Sequence, residues 1–416
     1  MCRQKNILAS AVSICIWAIV CLVPFFSCQD FLTPEPEENE VLDGPMEGLS
    51  YTQIGLFIEG DEAFSEVFTP ETGLGPYFVS TSCFSCHIGD GKGHPFTTLT
   101  RFGRLENGVY ESLLHLGGPQ LQNRAIPGFE SETIPTEANG ISRFTPPAVT
   151  GLGFLAAVSD AALIELSDPQ DEDEDGISGR VNYIVPPDFF NPLEWHIPDA
   201  EGRYIGRFGK KAAAVDLLHQ TVNAYKQDIG ITSDFDLEDP INHAVSDQQI
   251  DPIDDPEISA ATVQSVVFYL RTLKAPIPRN ISDPDVVFGK DVFTNIECGK
   301  CHLPTMKTGL SDIAALSNKE FHPYTDLLLH DMGDELNDNY TEGQADAREW
   351  RTPALWGLGL SRDAQGGEYF LMHDGRAKSI EEAILLHGGE AMKSRTEYQA
   401  LSASEKNALI AFLESL

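Results

Sequence analysis

Two short stretches carry the chemistry of this chain, Cys83-Phe-Ser-Cys86-His87 and Cys298-Gly-Lys-Cys301-His302. Thiols at this spacing stand about one helical turn apart, and the histidine behind the second thiol can reach under a metal held beside them. Paired Cys-x-x-Cys also binds zinc, but a zinc site does not require a histidine directly after each second cysteine. Both copies have one. The pattern is the attachment signature of a c-type haem, in which the thiols add to the vinyl groups and His87 and His302 become axial ligands. Of the eight cysteines, the other four are Cys2, Cys15, Cys21 and Cys28, so the body of the chain keeps none for a disulfide or a nucleophile. Two covalently bound c-type haems imply export, because this attachment takes place outside the cytoplasmic membrane.

The N-terminus agrees with export. Arg3 and Lys5 head an apolar run from Ile7 to Phe26 that ends in Ser27-Cys28. Residues 1–27 read as a lipoprotein-type signal peptide with Cys28 as the lipidated residue; the rival is an uncleaved anchor. Residues 28–50, rich in Pro, Glu and Asp, read as a flexible tether. The expected location is the cell envelope, outside the cytoplasmic membrane and lipid-anchored to it. A formal charge of −36 argues against nucleic acid or anionic lipid as a partner. It suits a basic cytochrome as electron donor, or simply a solvated acidic surface.

The elements that must position the two motifs repeat loosely. Gly60-x-x-x-Phe64 precedes the first and Gly289-x-x-x-Phe293 the second. An amphipathic helix closes each half: Val263, Val266, Val267 and Leu270, opened at Asp255-Pro256, and Leu409, Phe412, Leu413 and Leu416 after the capping box Ser402-x-x-Glu405. A helix before the haem and a closing helix packed across it is a cytochrome c plan. The predicted fold is mainly α, with two cytochrome c-like haem lobes at 51–275 and 283–416 joined by a linker at 276–282. The first lobe is enlarged by long loop-rich insertions over 100–255, the kind of irregular segment that often walls a functional site.

Further motifs carry a resemblance: Asp173-Glu-Asp-Gly-Ile-Ser-Gly-Arg180, Gly206-Arg-Phe-Gly209, Tyr324-Thr-Asp-Leu-Leu-Leu-His-Asp-Met-Gly333, Glu349-Trp-Arg-Thr-Pro353 and His373-Asp-Gly-Arg376. With them the chain resembles the bacterial di-haem c-type oxidoreductases and peroxidases, some labelled thiol oxidoreductases, over nearly all of residues 55–416. More distantly it is similar to di-haem cytochrome c peroxidases. The resemblance implies one haem for peroxide chemistry and one for electron transfer. The thiol label gains nothing here, since no spare cysteine exists.

Other ligands follow partly from residues and partly from that resemblance. Ser379-Ile-Glu-Glu382 opens a helix that Gly388-Gly389 stops, and Ile380, Ala383, Ile384 and His387 share one face. In the relatives an axial ligand follows a His-x-Gly motif by fourteen residues, and His373 plus fourteen is His387. His387 is therefore the expected sixth ligand of haem two, or else a helix-end histidine. His373 is expected beside haem two, with Arg376 pairing a propionate, or both form a structural turn. On a helix predicted over about 210–226, Gln220 and the nearby Asp228 imitate a distal Gln and acid of the relatives, while His219 caps the iron of haem one or is simply buried. Asp171, Asp173 and Asp175, followed by Gly176, have the spacing that opens calcium loops.

The expected function is an exported, membrane-tethered di-haem oxidoreductase that reduces peroxide or a related oxidant at haem one. Electrons would pass through haem two from a redox protein or a quinol-linked chain, with Trp350 or Trp356 as relays. The alternative is a di-haem electron-transfer cytochrome without peroxidase activity; a haem-containing sensor is the third class.

Overall fold

Helices that begin on side-chain caps and cross at glycines set the frame. They are α1 (Tyr51–Ser65), α2 (Leu217–Ala224), α3 (Ala260–Thr272), α4 (Pro284–Asn295), α5 (Ile380–Leu385) and α6 (Ala403–Ser415). The computed structural model describes residues 37–245 and 253–416, and those from 39 onward form one compact unit. The leader, Cys28 and the first part of the expected tether, up to residue 36, lie outside the described residues. Among the described residues no helix is long and apolar enough to cross a membrane.

The glycine of each repeat is where two helices touch. A Cβ on Gly60 of α1 would meet Ser265 O of α3 and stand 2.7 Å from Tyr269 Cβ. A Cβ on Gly289 of α4 would meet Ala408 O of α6 and stand 2.7 Å from Phe412 Cβ. One turn later Phe64 packs on Tyr269 at 5.3 Å and Phe293 on Phe412 at 5.4 Å. The same device thus serves both motifs. Around α1 and α3 a large core also takes Met306, Phe321, Leu327 and Trp356, which follow the second motif. A second core forms around α4 and α6 with Leu371, Ile380 and Tyr398.

Strands are short. β1 (Leu99–Glu106), β2 (Val109–Glu111) and β3 (Gly140–Phe144) make a three-stranded antiparallel sheet in the order β2-β1-β3. β4 (Leu329–Asp331) pairs antiparallel with β5 (Glu349–Arg351), setting His330 opposite Trp350. The chain is 35% helical and 13% strand, more helix than strand, with small sheets stitched into its loops.

Three local expectations shift. α3 starts at Ser259, whose hydroxyl accepts from Thr262 N at 3.2 Å. Asp255 does not open it, because its carboxylate is held by the Thr232 hydroxyl. The helix predicted over 210–226 begins only after Asp216, which caps His219 N at 2.7 Å. It ends in a π turn, Tyr225–Ile229, closed by Gly230 at φ +79°. Within the expected tether, Leu42 and Met46 are buried, and Met46 N donates to Thr272 O at 2.8 Å. Backbone pairing with the end of α3 and these two buried side chains dock that stretch.

If the glycine crossings hold the frame, Gly60→Ala and Gly289→Ala should each cost about 1–3 kcal/mol of stability through overpacking. Gly55→Ala, on α1 with open space around it, should be neutral or slightly stabilising. Thermal melts of the three variants check this; equal Tm values for all three would remove the crossings from the account.

Candidate haem centres

Each motif closes one helical turn. Ser82 caps the first by accepting from Ser85 N at 3.1 Å, and His87 N then donates to Cys83 O at 3.0 Å. In the second, Glu297 turns the chain at φ +63° and His302 N donates to Cys298 O at 3.0 Å. No disulfide joins the four motif sulfurs. Burial pushes the Cys83 and Cys298 thiols each up to about 12.

Three imidazoles share one arrangement. His87 Nδ1 lies 2.8 Å from Pro147 O, His302 Nδ1 3.0 Å from Tyr324 O, and His387 Nδ1 2.7 Å from Ala383 O. A carbonyl only accepts, so Nδ1 carries the hydrogen in each ring and Nε2 keeps a free lone pair. Burial holds His87 and His302 down to about 4, and lowers His387 too, which keeps the rings neutral. The His302 and His387 ring centres stand 6.4 Å apart. Two metal–imidazole bonds of about 2 Å each, with a ring radius added at both ends, span about 6 Å. The pair therefore has the separation of two imidazoles sharing one iron, and the residues fit a haem between them. For His87, the ring contact among the described residues is Phe64 at 6.1 Å.

Beside the first motif lies a polar network. Asp228, on the π turn, accepts from Gln120 Nε2 at 2.6 Å. The same amide, and that of Gln122, reach Gln227 O, while Arg101 Nη1 donates to Gln227 Oε1 at 2.7 Å. Burial pushes the Asp228 carboxyl up to about 6 against the pull of Gln120 and Arg101. Its charge is felt at both Cys83 and Cys86. Gln120 Oε1 and the Tyr225 hydroxyl are buried here without a hydrogen-bond partner, a sign that the surroundings suit a polar guest, while Arg101 Nε lies 4.0 Å from Glu342. Gln220, by contrast, points to the Gly209 turn, and no contact joins it to Asp228 among the described residues. His219 accepts from Val215 N at 3.4 Å and meets the edge of Phe189; none of its contacts is with His87.

The remaining sequence candidates separate. His373 stacks on Trp350 with ring centres 3.7 Å apart and its carbonyl accepts from Thr145 N. Arg376 is exposed and taken up by Asp374 at 2.8 Å and by Glu335 O. In the acidic loop Asp168, Asp171 and Asp173 bring carboxylate oxygens within 4.8 Å of one another. Asp175 turns to Lys300 of the second motif at 2.8 Å instead. Residues that sequence reasoning missed include Gln120 and a buried lock in which His330 lies between Asp326 at 2.8 Å and Glu390 at 2.7 Å, 3.6 Å from Cys301 Sγ. His330 sits inside one of the quoted motifs, which was the available signal. Gln120 stood in an unpatterned loop and had none.

No curated protein matches the chain. Among solved structures, a hydrazine synthase of Kuenenia stuttgartiensis studied under xenon pressure is 14% identical, covering 92% of this chain and 96% of that one at a TM-score of 0.35. A MauG-like protein associated with microbial copper homeostasis is 15% identical, covering 92% and 95% at a TM-score of 0.38. Residues 138–416, well over half the chain, match the family described as "Di-haem oxidoreductase, putative peroxidase". The chain belongs to that family and is a redox enzyme that works with two haems.

Proposed function

We propose that this protein is an exported di-haem c-type peroxidase that reduces peroxide, or a related oxidant, at the His87 centre with electrons passed through the His302–His387 centre. The contrast between the two motifs carries the reading. His302 faces a second imidazole, whereas His87 has Phe64 as its ring contact among the described residues. Two axial imidazoles suit electron transfer, and a single one leaves a face for an oxidant. Cys83, Cys86, Cys298 and Cys301 are the attachment residues. Haem bound at the first motif would supply the one-electron steps and the open coordination position.

The protein's own part is proton handling. Peroxide takes up two electrons and two protons and leaves as two waters, and cleaving its O–O bond needs a proton moved between the oxygens. A carboxyl lifted to about 6 takes and returns a proton near neutral pH. That is the role of Asp228. Gln120 holds the carboxylate in place, and Gln220 is kept as a second amide on the Gly209 side. The leader and Cys28 support export and a lipid tether, and the charge of −36 supports a basic redox donor. Calcium at the acidic loop is part of the same reading, with Asp168, Asp171 and Asp173 as the carboxylate set.

Two measurements test this. His387→Gly should abolish the low-spin signature of the second haem and leave the first unchanged; an unaltered low-spin spectrum would take His387 out of the site. Asp228→Asn should slow peroxide-dependent oxidation of a reduced cytochrome by roughly a hundredfold or more. The working form is the ionised carboxylate, so the wild-type rate should fall as pH drops through about 6, and the variant should lack that limb. A wild-type protein that carries electrons but is inert to peroxide in every redox state would leave the electron-carrier reading in its place.

A further inference from the structure

Three cations converge between the two motifs. Arg351 N donates to Lys210 O at 3.0 Å and Arg351 Nε to Gly209 O at 2.9 Å, so these two side chains leave neighbouring backbone. Lys92 comes from the turn after His87, and its Nζ donates to Met372 O at 3.3 Å. Met372 precedes His373, whose ring stacks on Trp350, the residue before Arg351. Separate segments of the chain thus deliver Lys92, Lys210 and Arg351 to one place.

Each end of the group adjoins a motif. Gly93, next to Lys92, donates its N–H to Pro146 O, and the following Pro147 O holds His87 Nδ1. Arg351 Nη1 donates to Thr352 O, which also accepts from the Thr325 hydroxyl; the preceding Tyr324 O holds His302 Nδ1. Lys92 is therefore on the His87 side, where the Lys210 charge is also felt at the His87 ring, and Arg351 leans toward His302.

The cations lack matching anions. Burial, then the nearby Lys92 and Arg351, push Lys210 well below the usual lysine range; burial brings Lys92 to about 7 and Arg351 to about 10. The carboxylates that face them are Asp374 and Asp326, and both are engaged, with Arg376 and His330 respectively. Among the described residues no hydrogen bond or ion pair meets the Lys210 ammonium. Like charges gathered in a partly buried site are costly unless an anion offsets them.

We propose that Lys92, Lys210 and Arg351 form a cradle for haem propionate carboxylates, Lys92 and Lys210 at the first centre and Arg351 toward the second. Arg376, the partner expected from sequence, is exposed and pairs with Asp374 and Glu335 O instead. The inference rests on the two-haem reading, since the anions are the cofactors' own. A cation against a propionate disfavours the extra positive charge of the oxidised iron, so losing it lowers the reduction potential.

The test is spectroelectrochemical titration of the full di-haem protein. Lys210→Met and Lys92→Met should lower the potential of the first centre, and Arg351→Met should act on the second, while Lys210→Arg stays near wild type. Haem retained on denatured protein shows independently whether both cofactors are attached; a wild type that retains none fails the two-haem reading rather than the cradle. Potentials unchanged in all three methionine variants would overturn the cradle. So would a wild-type potential that shifts saturably with added inorganic phosphate, which would mark a site for free anions. Should Lys210→Met not take up haem, the propionate-bending band in resonance Raman must differ between wild type and Lys210→Arg; an identical band also overturns the proposal.

Discussion

Three imidazoles kept neutral by burial and oriented by main-chain carbonyls are the constraint on which the rest of this structure depends. A histidine that donates from Nδ1 to a fixed carbonyl cannot turn, and its Nε2 lone pair then points in one direction. Each carbonyl is itself fixed by a different device. Pro147 lies in the Thr145-Pro-Pro-Ala148 run, whose prolines have no N–H to compete for it. Tyr324 is buried at φ +55°, a strained setting for a tyrosine that only firm surroundings hold. Ala383 is on α5, four residues before His387, so that ring is pinned to its own helix.

A second layer ties the His387 segment to the motif it faces. Glu390 accepts from Ser178 N and Oγ, from Asp331 N and from His330, whose other nitrogen meets Asp326. Burial pushes His330 down, but the hydrogen bonds to Asp326, Cys301 and Glu390 carry it well above the usual histidine range. The result is a charged knot linking the acidic-loop segment, β4, the Cys301 sulfur and the turn after His387. Gly388 and Gly389 belong to it. A Cβ on Gly388 would stand 2.7 Å from Met332 O, and one on Gly389 2.7 Å from Gly333 N. These glycines stop α5, and they also let the turn press against the end of β4.

What the sequence made legible was local or periodic. The two haem signatures, the Gly60 and Gly289 repeat, the Ser402–Glu405 box and the placement of His387 depend on spacing within one element, and spacing is what a sequence records. The start of α3 was misplaced because Asp255 and Ser259 are both good caps, and only the distant Thr232 decides between them. Asp228 was legible as an acid near the first motif. Its partner was not, since Gln120 reaches it across more than a hundred residues. Arg180 and Arg207 show the same limit from the other side. Each sits in one of the motifs quoted above, yet Arg180 pairs with Glu349 and the buried Arg207 with Asp160, so both bind segments together.

Trp350 shows how such contacts change a functional expectation. From sequence alone, a tryptophan in a motif between two redox centres invites the role of electron relay. A relay must lose an electron and hold a positive charge, or release its indole proton as it does so. Here the Lys211 ammonium lies over the ring at 3.8 Å from its centre, donating to the carbonyls of Asp346, Ala347 and Glu349. Burial lowers Lys211 only to about 8, so it remains charged at neutral pH. A cation over the ring stabilises the neutral indole and opposes a positive charge on it. The indole N–H donates to Leu336 O at 3.1 Å, a carbonyl that cannot take the proton away. Trp350 is better placed to fasten the His373 loop to β5 than to carry charge.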